Sequence, residues 1–284
     1  MDKKHLGKGK SFINNEFDMP APRWINTYPA GPYRFINREF FIITYETDPE
    51  LLQAVLPPPL ELIEPVIKFE FIRMPDSTGF GDYTESGQVI PVRYKGEEGG
   101  FTISMFLDCH APIAGGREIW GFPKKLAKPK LVIEEDTLIG LLNYGSIRIA
   151  TATMGYKHHP ADKEKVLEAM KKPVFLLKNI PGVDGTPEVN QLTRTYLQDI
   201  TIKGAWTGPG SLELHPHALA PIANFYIKRI VSVSHFITDL TLPYGDVVED
   251  YLDNIALMLN QRPRKTLGFL TPTEKLNQVV AMTD

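Results

Sequence analysis

Val66-Ile67-Lys68-Phe69-Glu70-Phe71-Ile72-Arg73-Met74 is the stretch on which the fold turns. Aromatic and β-branched residues dominate it, and lysine and glutamate occupy alternate positions. That is the period of an extended strand, where successive side chains point to opposite faces. Lys68, Glu70 and Ile72 then share one face, and Phe69 and Phe71 share the other. A glutamate between two phenylalanines faces either a polar cavity or solvent, and alternation leaves both open. A strand of this kind needs partners, and the flanking sequence supplies them.

On the N-terminal side, residues 40–47 repeat the aromatic and β-branched signal. On the C-terminal side it returns at 101–107, 131–133, 138–142 and 147–154, the last following an Asn143-Tyr144-Gly145-Ser146 turn. Residues 174–178, 191–206, 211–215 and 230–242 extend the series. With 24 prolines and 22 glycines between short runs, the chain reads as mainly β with a few helices. A closed or strongly curved antiparallel sheet accommodates that pattern. Helix spacing appears only at 48–56, ending at Pro57-Pro58-Pro59, and at 161–172 through Val166, Leu167 and Met170. A third, amphipathic helix is expected at 246–260 through Val247, Val248, Tyr251, Leu252, Ile255 and Leu259. There is no linker rich in glycine or serine and no repeat. Residues 1–252 read as one domain and 253–284 as an atypical C-terminal segment without a catalytic role.

Composition narrows the function. Apolar residues make up 43% of the 284 residues, enough for a substantial core. The 31 basic and 34 acidic residues give a net charge of −3, which argues against a nucleic-acid partner. No run of about 18 apolar residues offers a membrane span. Residues 1–10 are basic and polar with no apolar segment behind them, unlike a signal peptide. Cys109 is the single cysteine, so no intrachain disulfide forms and a reducing, cytoplasmic location is expected.

Chemistry concentrates in Gly115-Gly116-Arg117-Glu118-Ile119-Trp120-Gly121-Phe122-Pro123-Lys124-Lys125-Leu126. A lysine packed behind tryptophan, phenylalanine and proline loses water, and a second cation beside it repels its charge. Both effects disfavour an ammonium and favour a neutral amine able to attack a ketone. A solvated lysine pair after a turn is the alternative. Arg38, in Asn37-Arg38-Glu39, offers a planar fork for a carboxylate or an anchor for an acidic side chain. Glu85, in Tyr83-Thr84-Glu85-Ser86-Gly87-Gln88, reads as a loop acid. His215-Pro216-His217 has the spacing of a metal-binding pair on a strand, but no acid follows through Phe225 and Pro216 interrupts the strand. His158 and His159 diverge if extended.

These segments, taken in order, resemble the acetoacetate decarboxylase family from about Tyr28 to Leu252. The resemblance runs through Gly31-Pro32-Tyr33-Arg34-Phe35, Asn37-Arg38-Glu39, Tyr83-Thr84-Glu85-Ser86-Gly87-Gln88 and Gly116-Arg117-Glu118. It continues in Phe122-Pro123-Lys124-Lys125-Leu126, Ala150-Thr151-Ala152-Thr153-Met154-Gly155-Tyr156-Lys157-His158 and Ala205-Trp206-Thr207-Gly208-Pro209. It implies a closed β cone or barrel, assembly as a homo-oligomer, and conversion of acetoacetate to acetone and CO2 with no metal or organic cofactor. It also implies that Lys124 forms the Schiff base, that Lys125 is the neighbour linked to its reactivity, and that Arg38, Glu70 and Glu85 complete the site. Aldol and dehydration chemistry on another keto acid, and a non-catalytic binding barrel, are the competing readings. The end of the chain, with Gln261-Arg262-Pro263-Arg264-Lys265-Thr266-Leu267-Gly268-Phe269, resembles the close of insertion-sequence transposases. So short a segment carries no transposition chemistry.

Overall fold

Residues 25–252 and Glu274 are described by the computed structural model. Strand β1 (Tyr33–Glu46) leads through helix α1 (Pro49–Gln53) and the short β2 (Glu61–Leu62) to β3 (Val66–Met74). After the short β4 (Asp76–Ser77), β5 (Tyr83–Tyr94) and β6 (Glu97–Leu107) form a long hairpin. Helix α2 (His110–Gly115) and a π-helical turn (Gly116–Trp120) then cross over to β7 (Lys124–Leu126). Strands β8 (Lys128–Glu134), β9 (Thr137–Tyr144) and β10 (Ile147–Gly155) follow as a meander. Next come β11 (His159–Pro160), helix α3 (Lys163–Met170), β12 (Val174–Pro181) and β13 (Pro187–Thr195). The last strands are β14 (Gln198–Thr207), β15 (Gly210–Leu214), β16 (Arg229–Leu242) and β17 (Asp246–Asp250).

Two sheets result. The larger has 13 strands in the order β11-β14-β16-β1-β3-β5-β6-β12-β13-β17, with β2, β4 and β7 paired off this path. The smaller has 4 strands in the order β15-β10-β9-β8. Pairing is antiparallel except where β12 and β7 join β6. The mainly β reading therefore holds, but the closed barrel does not form among the described residues. Strands β11 and β17 stand at the two ends of the large sheet. Helix α3 contributes Val166, Ala169 and Met170 to the cavity wall, where strand closure was expected.

Alternation in β3 separates the two faces. Phe69 and Phe71 pack with Phe41, Ile43 and Tyr45 of β1 against Leu131, Leu138, Leu142 and Ala152 of the small sheet. Contact there is close: a Cβ added at Gly140 would come within 2.5 Å of the Phe71 ring. Lys68, Glu70 and Ile72 line a cavity on the opposite face, with Phe40, Ile42 and Thr44 of β1.

Three expectations change. Residues 246–250, read as the start of an amphipathic helix, form β17 and pair with β13, so backbone pairing overrides side-chain period. Tyr251 and Leu252 are helical, while 253–260 and, apart from Glu274, the rest of the C-terminal segment lie outside the described residues. The strand expected over 191–206 is two, β13 and β14. Glu85, read as a loop acid among polar residues and Gly87, is buried within β5, where pairing with β3 and β6 holds the backbone extended.

Candidate active site

Lys124 owes its position to the turn before it. The backbone N–H groups of Gly121 and Phe122 both donate to the Gly116 carbonyl at 3.0 Å, closing the π-helical turn. Gly121 takes φ 90°, and a Cβ there would lie 2.5 Å from Lys178 Cα, so glycine is required. The chain leaves this turn as β7, parallel to β6, with Lys124 opposite Met105. Strand alternation then sends Lys124 inward and Lys125 outward.

Lys124 is 8% exposed and Glu85 3%. The Lys124 Nζ donates to Glu85 Oε1 at 2.7 Å. Its stem lies on the Gly116 backbone, where an added Cβ would meet the lysine Cδ at 2.6 Å. The ring of Phe122 is centred 5.1 Å from Nζ. The second Glu85 oxygen is 3.9 Å from the Arg38 guanidinium, which lies over the rings of Phe35 and Phe40, 4.9 and 4.8 Å from their centres.

Strand register brings Glu70 in. Ile42, Glu70, Gly87, Met105 and Lys124 form one row across β1, β3, β5, β6 and β7. Glu85 pairs with Ile72, one step along the same face as Glu70. Burial pushes the Glu70 carboxyl up from 4.5 to about 7; Lys68 and Arg38 oppose that rise and Glu85 adds to it. Glu70 keeps some accessible surface because it lines the cavity, though protein surrounds it on every side. The whole cavity measures about 380 Å³, and Arg38, Glu70, Glu85 and Lys124 share it with mostly apolar walls.

Lys125 does not join them. It is exposed, donates from Nζ to the Leu219 carbonyl at 2.6 Å, and lies 5.1 Å from the Tyr144 ring centre. Its ammonium is on the far side of β7 and outside the cavity lining, so the neighbouring-cation arrangement expected from the adjacent lysines is not formed. The histidines are elsewhere too. His217 Nδ1 accepts from the Leu219 N–H at 3.1 Å, and His215 lies 3.9 Å from Glu213. His158 and His159, expected to diverge, meet edge to face with centroids 4.2 Å apart.

Sequence reasoning overlooked three parts of this site. Gly116 supplies the surface beneath Lys124, although it opens one of the family-like segments. Tyr83 lines the cavity, and burial and then Glu85 hold its phenol protonated. Lys68 also lines the cavity, and the alternation that placed it beside Glu70 was the available signal.

A family profile described as acetoacetate decarboxylase (ADC) matches residues 18–252. The chain belongs to the acetoacetate decarboxylase family. The acetoacetate decarboxylase of Paraburkholderia xenovorans (strain LB400) is 62% identical over 243 residues, 86% of this chain and 96% of that protein. A crystal structure of acetoacetate decarboxylase from Legionella pneumophila is 86% identical with a TM-score of 0.83, covering 84% of this chain and 96% of that one. The enduracididine biosynthesis enzyme MppR is 17% identical with a TM-score of 0.71, over 81% of this chain and 92% of that one. It shares the fold alone. The acetoacetate decarboxylase match spans every residue gathered at the cavity.

Proposed function

We propose that this chain converts acetoacetate to acetone and CO2 in the Lys124 cavity, through an imine between substrate and lysine. The observation that carries the reading is the buried Lys124–Glu85 contact in one cavity with Arg38 and Glu70. The amine attacks only when neutral, and Glu85, hydrogen-bonded to it, takes the ammonium proton. Nitrogen adds to the ketone carbon, and loss of water leaves a protonated imine. Glu70, poised near neutrality, serves as proton donor and acceptor in that dehydration. Arg38 holds the substrate carboxylate.

The imine cation lies β to the carboxylate. Electrons of the breaking carbon–carbon bond flow into it, CO2 departs and an enamine remains. Protonation at carbon and hydrolysis release acetone and restore the lysine. Apolar walls favour the step because the carboxylate charge disappears as CO2 forms. We read Lys125 as a support for β7 through Leu219, and residues 253–284 as dispensable for chemistry. A homo-oligomer in the cytoplasm, the expectation that accompanies the family, is checked by light scattering and fractionation.

Borohydride reduction in the presence of labelled acetoacetate, followed by peptide mapping, tests the reading. Label should fall on Lys124, and Lys124→Ala should lose both turnover and trapping. Undiminished turnover in that variant would end the mechanism.

A further inference from the structure

Arg38 is gripped in an unusual way. Its Nε is buried without a hydrogen-bond partner, and its contact with Glu85, at 3.9 Å, is too long for a hydrogen bond. What holds the guanidinium is its contact with two ring faces, those of Phe35 and Phe40. Behind Phe40 stands Phe236, stacked at 4.8 Å and 17°. Rings hold the plane and leave N–H donors for a ligand, which suits an oxyanion grip.

Simple alternation would not put both rings on that face. Phe40 and Arg38 share a face, but Phe35 is three positions from Arg38 and belongs to the other. A β-bulge resolves this: the register with β16 slips between Phe35, opposite Leu240, and Arg38, opposite Thr238. At the bulge Asn37 has φ 55°, in the left-handed region that few side chains tolerate. Three exposed contacts hold it there. The Asn37 N–H donates to Asp239 Oδ1 at 2.8 Å, the Lys203 ammonium donates to Asn37 Oδ1 at 2.6 Å, and Lys203 pairs with Asp239 at 2.6 Å.

We propose that the Asn37–Asp239–Lys203 clasp, on the solvent side of the sheet, is a positioning device for the reaction. It sets the bulge that brings Phe35 to the guanidinium and so fixes the Arg38 grip on the substrate carboxylate. This rests on the reading of Arg38 given above. None of the three clasp residues lines the cavity, so their effect passes through β1. The effect belongs in KM, because the Arg38–carboxylate contact is made alike by the bound substrate and by the imine that precedes carbon–carbon cleavage, so loosening it removes uniform binding.

Steady-state kinetics with acetoacetate on Asn37→Gly, Asn37→Val, Asp239→Ala and Arg38→Gln test it. Asn37→Val forbids the left-handed backbone and Asp239→Ala removes the acceptor. Each should raise KM about ten-fold, with kcat within about two-fold of the wild type, from a small displacement of the grip. Asn37→Gly keeps both the backbone conformation and the N–H contact, and should keep KM within about two-fold. An unchanged KM in folded Asp239→Ala overturns the proposal, as does a glycine variant as impaired as the valine one. An unchanged KM in Arg38→Gln overturns the reading of Arg38 itself, and the clasp proposal with it.

Discussion

Lys124 and Lys125 are consecutive in sequence and answer to different surroundings. One amine is buried against Glu85, and the other is exposed against a carbonyl on the far side of β7. The apolar neighbourhood of the pair was legible in Trp120, Phe122 and Pro123. The opposed directions were not, because a strand as short as β7 leaves no period to read. Glu70 shows the reverse case: alternation placed it correctly, and the structure decided for a cavity over solvent. That decision has a pH signature. With its carboxyl raised from 4.5 to about 7, the folded chain binds this proton more tightly than the unfolded chain. Stability from this group is therefore present at low pH and is lost as pH rises through that window. Glu70→Gln should flatten that fall, worth on the order of 3 kcal/mol, in denaturant midpoints measured from pH 4.5 to 7. The same variant should lose any kinetic limb near pH 7. A limb that persists would assign it to another group.

At the scale of elements, β3 and β16 were readable from their runs of aromatic and β-branched residues, whereas β5, whose Thr84-Glu85-Ser86-Gly87-Gln88 start is polar and reads as loop, was not. β3 and β16 fall close to where alternation puts them. Boundaries failed where no turn residue marks them: Tyr196 and Leu197 break β13 from β14 without glycine, proline or asparagine. β17 failed for another reason, since Val247, Val248, Tyr251 and Leu252 fit a helical stripe and only the partner strand β13 reveals the ladder. The tight seam between sheets gives a sharp test. Gly140→Ala would press a methyl into the fully buried Phe71 ring, 2.5 Å away. It should destabilise the fold by ~1–3 kcal/mol, read as a lower denaturant midpoint at constant slope. An unshifted midpoint would mean that the two sheets can slide apart at that seam.

For the whole molecule, the match to the acetoacetate decarboxylase family ends at residue 252, and among the described residues every one that lines the cavity lies before that point. A chain ending after Leu252 retains β17 and its pairing with β13. Its kcat/KM for acetoacetate should stay within about three-fold of the full chain, and a loss of a hundred-fold or more would give the C-terminal segment a role in the site. The mainly β class was legible from the whole chain, whereas the open edges of the large sheet were not. Closure depends on which strands meet last, and side-chain period does not report that. The same pairing governs how the chain reaches its fold. β1 is flanked by β16, with Phe40 opposite Phe236, so the first long strand waits for nearly the whole domain to emerge during synthesis. Until then, one edge of β1 and the Arg38 it carries stay unpaired. Sequence separations this large slow folding, so the Lys124 cavity is among the last features to exist and the nascent strand is the segment most in need of protection.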